Sequence, residues 1–424
     1  MGHPASSWYS EMPGDDRASA KLGDDTLARI GIALAGGGPL GGIYEVGALA
    51  ALDEAIQGIE LTAADIFVGV SSGGFIAAAL ANGITPARLT RMLVENNTED
   101  VFDPEMLLRP ALGEYLERLL SVPPLIATAF WEYLSDPWHH GLFESFQRLS
   151  RAIPTGIFDN RGIDRVLRKM FSAPGRTNDF RQLQRRLFLV ATDLDSGESV
   201  AFGADGHDDI PISTAVQASA ALPGLFPPVR IDGRYFVDGA LIKTLHASVA
   251  LKDGADLVFC INPLVPFDAE LAARRNAQER HSLNEGGLPV VLSQTFRAII
   301  HSRMRVGMDR YKHQYGNADV VLFEPTRDDG EMFFNNVFSY RDRRRLCEHA
   351  YQRTRVDLYR RRHELQPILA RHGLHLDLTI LKDHERSLLP RTRRSRRGEL
   401  QALTRSLDDS LNDLQRWLEA RHGG

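Results

Sequence analysis

Asp65-Ile-Phe-Val-Gly-Val-Ser71-Ser-Gly-Gly-Phe-Ile-Ala-Ala-Ala-Leu-Ala-Asn-Gly83 joins an apolar run, a glycine-flanked serine and an alanine-rich run without a break. The β-branched and aromatic residues ending at Gly69 predict a short buried strand. The run from Ser71 predicts a helix that Gly83 closes in the left-handed conformation. Between them, Gly69-Val-Ser71-Ser-Gly73 fits G-x-S-x-G. That pattern sets a serine on a sharp strand-to-helix turn, where its flanking glycines avoid steric clash. The hydroxyl then stands at a helix N-terminus, where free N–H groups and the dipole favour developing negative charge.

Upstream, Arg29-Ile-Gly-Ile-Ala-Leu-Ala35 reads as a buried strand, Gly36 to Gly42 as a glycine loop, and Ile43 to Ile56 as a helix. Strand, loop, helix, strand, elbow and helix make a βαβα start, which predicts a largely parallel sheet covered on both faces. The loop has two readings. Gly36-x-Gly38-x-x-Gly41 matches a dinucleotide fingerprint and would suit a nucleotide-binding oxidoreductase. That fingerprint wants an acid at the end of the next strand, where this chain places Ser71. Glu60 lies in a run too short to trust as a strand. The alternative gives the loop's N–H groups to an oxyanion hole. Strands one and two would be neighbours with their C-terminal loops facing, so this reading is preferred.

Downstream, residues 97–171 read as a helical insertion rich in aromatics (Phe102, Phe130, Trp131, Tyr133, Trp138, Phe143 and Phe146). It is either a packed subdomain or a lid for acyl chains. Leu187 to Asp193 and Ser199 to Phe202 read as a hairpin, Ile212 to Ala221 as a helix, and Tyr235 to Ala240 as a strand ending in Asp238-Gly239. Ala255 to Asn262 and Asp319 to Glu324 are further strands, with a helix over Pro289 to Tyr311 between them. The expected organisation is a tail (1–27), a catalytic domain (28–330) and a charged helical extension (331–424). In that extension five arginines between Arg391 and Arg397 precede Leu400, Leu403, Leu407, Leu411, Leu414 and Leu418, a stripe suited to self-association, to its own domain or to a membrane surface.

Fifty basic and 55 acidic side chains give a net charge of −5, which exerts no global pull toward nucleic acid. Two cysteines make no disulfide framework, and no apolar run approaches the roughly 20 residues of a membrane span. The polar N-terminus has no signal-peptide pattern, so a cytoplasmic protein, peripheral at a membrane, is expected. No His/Cys or acidic cluster has ligand spacing, so neither metal nor cofactor is expected.

Gly36-Gly-Gly-Pro-Leu-Gly41, Gly69-Val-Ser71-Ser-Gly73 and Asp238-Gly239-Ala240 in that order resemble the patatin-like phospholipases. Ala191 to Glu198 and Ala218 to Val229 add to the resemblance, which covers roughly residues 28–325. It departs at Leu40, where the family usually carries Arg or Lys, and at Thr244 and His246, where Asn and Pro are frequent. The resemblance implies a three-layer α/β/α fold and a lipid ester hydrolase with a Ser71–Asp238 dyad. Gly37, Gly38 and Ser72 would supply the oxyanion N–H groups. The residues themselves allow that chemistry, since a buried carboxylate can take a serine proton directly. They also leave open a triad through His246, and a lipid-binding scaffold that hydrolyses nothing.

Overall fold

The computed structural model describes residues 28–95, 156, 158–276, 283–333 and 342–389. The expected tail, the insertion up to residue 155 (Gly156 apart) and the leucine-striped C-terminal segment lie outside the described residues. In chain order the first half holds β1 (Ile30–Leu34), α1 (Gly38–Ala55), β2 (Ile56–Gln57), β3 (Ile66–Gly69), α2 (Ser72–Ala81) and α3 (Pro86–Thr90). Then come α4 (Arg161–Phe171), β4 (Arg186–Asp193), β5 (Ser199–Phe202), α5 (Ile212–Ser219), β6 (Val229–Ile231) and β7 (Arg234–Asp238). The second half holds α6 (Ala247–Lys252), β8 (Leu257–Ile261), α7 (Ala269–Asn276), α8 (Gly287–Gln314), β9 (Asp319–Phe323) and α9 (Gly330–Phe333). It closes with α10 (Arg343–Arg360), α11 (Arg362–Arg371), β10 (His375–Leu376) and α12 (Leu378–Lys382).

The central sheet has the order β6-β7-β4-β3-β1-β8-β9, with β5 also paired to β4. Strands β4, β3, β1, β8 and β9 run parallel, while β5 and β7 pair antiparallel to β4 and β6 pairs antiparallel to β7. Alternation along β1 explains the layers, because successive side chains leave a strand on opposite faces. Ile32 and Leu34 enter a large core with α1, α2, α4, α5 and α10. Ala33 and Ala35 face a second core, with Val68, Val70, Val258 and Cys260, that α6 and α8 cover. The fold is a three-layer α/β/α sandwich.

Three features differ from the sequence reading. Helix α1 starts at Gly38 instead of Ile43, because Pro39 is pre-set for a first helical turn although Gly-Pro reads as loop. Helix α4, at the end of the expected insertion, buries Ile163, Leu167, Met170 and Phe171 in the large core. The described part of the charged extension is also built into the fold. Leu346, Cys347, Leu358, Leu365 and Leu369 join the same core, and β10 pairs with β2. Among the described residues no helix is long and apolar enough to cross a membrane.

Helices α1 and α10 meet closely at Gly47. A β-carbon there would strike the Cys347 carbonyl oxygen and lie 2.9 Å from the Ala350 β-carbon. Tyr351 extends the contact by donating its hydroxyl to Glu54 at 2.6 Å. Gly47→Val is therefore expected to destabilise the protein by roughly 1–3 kcal/mol or more, the cost of overpacking a filled contact. Urea unfolding measures this, and an unchanged midpoint would contradict the packing of α10 on α1.

Candidate active site

β3 delivers its chain to Ser71 at the C-terminal edge of the sheet, and α2 leaves in the next residue. To make that turn Ser71 adopts φ 54° and ψ −123°, a conformation that non-glycine residues rarely hold. Such strain costs on the order of 1–3 kcal/mol and persists only where the surroundings fix it. Here the Ser71 N–H donates to Ser219 Oγ at 2.9 Å, and Ser219 Oγ donates to the Val190 carbonyl at 2.6 Å. The flanking glycines make the turn sterically possible. A β-carbon on Gly69 would lie 2.5 Å from the Gly73 carbonyl oxygen, and one on Gly73 would lie 2.5 Å from that of Ala35.

The three sequence motifs converge at this elbow. A β-carbon on Gly36 would sit 3.2 Å from that of Ser71 and 3.1 Å from that of Ala240. Gly36 itself donates its N–H to the Thr244 carbonyl at 3.3 Å. Gly37 caps α1 and Gly38 opens it, while Ser72 opens α2. N–H groups at helix starts have no acceptor within their own helix, and Gly36 and Ser72 set the two helix starts next to Ser71. Pro263 packs against Gly37 and Gly41, and Leu40 is buried in the large core where a cation would be unsolvated.

Asp238 ends β7 beside Ala191 of β4 and is 2% exposed. Its N–H donates to the Ala221 carbonyl at 3.0 Å, and its Oδ1 accepts the Ala240 N–H at 2.9 Å. The Ser71 side chain faces the same carboxylate and favours its charged form. Burial raises the Asp238 pKa to about 6, and the Ala240 N–H and the Ser71 hydroxyl restrain the rise. Gly239 is required by closeness, because a β-carbon there would strike the Val190 carbonyl oxygen. His246 takes no part in these contacts. It is buried, its Nε2 has no hydrogen-bond partner among the described residues, and burial followed by the Lys243 charge lowers its pKa to about 4.

The nucleotide reading of the loop loses its second element. Glu60 is exposed and precedes β3, at the opposite end of that strand from Ser71, so it cannot face a ligand on the glycine loop. Sequence reasoning also missed the part played by Ser219. Its stretch carries the resemblance, but no local signal marks a serine at a helix end as the partner of a distant elbow.

The patatin-like phospholipase model matches residues 32–251, just over half of the chain, and spans all three converging motifs. The chain belongs to the patatin-like phospholipase family. Membership supports a general lipid-hydrolase activity. An uncharacterized NTE family protein of Mycobacterium tuberculosis is 27% identical over 270 residues, covering 62% of this patatin-like chain and 36% of the relative. The chain thus spans about a third of that relative's length. A probable lipid hydrolase of Invertebrate iridescent virus 6 is 22% identical over 217 residues, covering 51% of this chain and 61% of the viral one. The crystal structure of VipD from Legionella pneumophila is similar at 16% identity and a TM-score of 0.36, over 78% of this chain and 66% of that one.

Ser219→Ala leaves two backbone groups in the buried elbow without their partner, each worth about 1–3 kcal/mol. A stability loss of roughly 2–4 kcal/mol in urea unfolding is expected on that basis, with partial recovery in Ser219→Thr. A loss under about 0.5 kcal/mol, the range of neutral surface changes, would contradict the clamp.

Proposed function

We propose that this chain is a serine acyl hydrolase that cleaves carboxyl esters of lipids through a Ser71–Asp238 dyad. The observation that carries the reading is the Ser71 side chain set against a buried carboxylate whose pKa is raised to about 6. Such a group is ionised at neutral pH, yet holds a proton better than an ordinary aspartate. Ser71 Oγ attacks the ester carbonyl as Asp238 takes its proton. Backbone N–H groups of Gly37, Gly38 and Ser72 receive the negative charge on the carbonyl oxygen, where fixed dipoles need no reorganisation. Collapse breaks the ester C–O bond, and Asp238 returns the proton to the leaving alcohol. Water then attacks the acyl-enzyme, again losing its proton to Asp238, and releases the fatty acid and free Ser71.

Phospholipid is the first substrate proposed, because the family supports it. The free, buried thiols of Cys260 and Cys347 suit a reducing compartment such as the cytoplasm. The chemistry needs no metal.

A fluorophosphonate probe tests the assignment. Ser71→Ala is expected to abolish labelling and ester hydrolysis while leaving unfolding cooperative. Asp238→Asn should lose about 10²–10⁴-fold in activity, or more where nucleophile and base act as one unit. His246→Ala, corrected for folded protein, should stay within about tenfold, since general acid–base groups contribute more than that. Persistent labelling of Ser71→Ala would sink the nucleophile. A His246→Ala variant as inactive as Asp238→Asn would replace the dyad with a triad.

A further inference from the structure

The 28-residue helix α8 carries apolar side chains on two opposite faces. Met304 and Tyr311 are buried in the second core. On the outer side Leu292, Phe296, Ile299 and Val306 are 45%, 53%, 48% and 64% exposed. Their spacing aligns them in one stripe about 20 Å long. Arg303 and Arg310 continue the same stripe, and no acid occurs between Glu285 and Asp309. Among the described residues Arg303 and Arg310 form no ion pair. A helix that is apolar on both faces has something to cover its outer one.

The stripe is fixed to the rim of the candidate site. Gln294 accepts the Phe267 N–H at 3.0 Å and donates to the Phe267 carbonyl at 2.7 Å. Arg297 donates to the Val265 carbonyl at 3.2 Å. That segment starts at Pro263, which packs on Gly37 and Gly41. Arg303 donates to the carbonyls of Leu241 and Ile242 at 3.4 and 3.3 Å, in the turn that follows Asp238. Leu241 is 38% exposed beside it.

We propose that α8 docks the chain on an anionic lipid bilayer, with Leu292, Phe296, Ile299 and Val306 in the headgroup–acyl boundary and the arginines on lipid phosphates. Charge selects this occupant. A second copy of α8 laid on this one would bury Arg303 and Arg310 in the seam with no acid of the stripe to pair them. At a bilayer the same guanidinium groups reach the phosphates while their stems lie along the apolar surface. The inference deepens the lipid-hydrolase reading by naming the form in which substrate is met, and it rests on that reading.

The test uses the full chain with Ser71→Ala, so that vesicles stay intact, in co-sedimentation with phosphatidylcholine vesicles containing or lacking phosphatidylserine. Phe296→Glu with Ile299→Glu is expected to weaken partitioning at least about tenfold, and Arg310→Glu to reduce the preference for phosphatidylserine. In the Ser71 parent both variants should keep turnover of a water-soluble short-chain ester. Partitioning of the Phe296/Ile299 double equal to its parent's overturns the proposal. So does dissociation of an oligomer by that double with vesicle binding unchanged, which would make the face a contact between copies. Loss of binding on truncation after Leu389, with the α8 variants unaffected, would move the lipid contact to the C-terminal segment and also overturn it. Vesicle binding through α8 by a parent that cleaves no ester would leave the docking intact and sink the hydrolase reading alone.

Discussion

One hydroxyl holds the centre of this fold together. Ser219 Oγ accepts the N–H of Ser71 and donates to the carbonyl of Val190, two backbone groups from neighbouring strands. The first bond keeps Ser71 in a left-handed conformation it would otherwise leave. Two residues later the Ala221 carbonyl takes the N–H of Asp238. A three-residue stretch at the end of α5 thus sets the backbones of both the serine and the acid, and their side chains face each other across it. Gly36 and Gly239 complete the arrangement by having no β-carbon where the three loops touch.

The electrostatics follow from depth. Burial alone would make Asp238 a poor anion, and the donors Ala240 and Ser71 draw its pKa back to about 6. Burial acts with the opposite sign on His246, which stays neutral as its pKa drops to about 4. Glu45 in α1 is fully buried as well, and burial raises its pKa well above the ordinary carboxylate value. Of the three buried groups, Asp238 alone combines contact with a nucleophile and a proton affinity suited to neutral pH.

Much of this was legible because its signals are local. The elbow, the β4–β5 hairpin and the Asp238-Gly239 strand end each declare themselves within about ten residues, through apolar runs bounded by glycines. The boundaries of α1 were not, since Gly38-Pro39 suits a loop and a helix start equally. The role of residues 342–389 was hidden by their charge. Arg343 to Arg360 reads only as part of a charged helical extension, yet it closes on Gly47 nearly 300 residues away, a match between distant surfaces that no periodicity encodes. The Ser219 clamp was missed for the same reason. Of the expected insertion 97–171, residues 97–155 and 157 lie outside the described residues.

The claim that Asp238 alone serves as base is tested most directly by the pH dependence of serine acylation, followed as the burst phase with a chromogenic ester. The base must be ionised to act, so the rate should rise with pH and level off above about 6, the folded-state pKa of Asp238. The same bend should persist in His246→Gln. A bend near 7 that disappears in His246→Gln would contradict the account and make the histidine the proton acceptor.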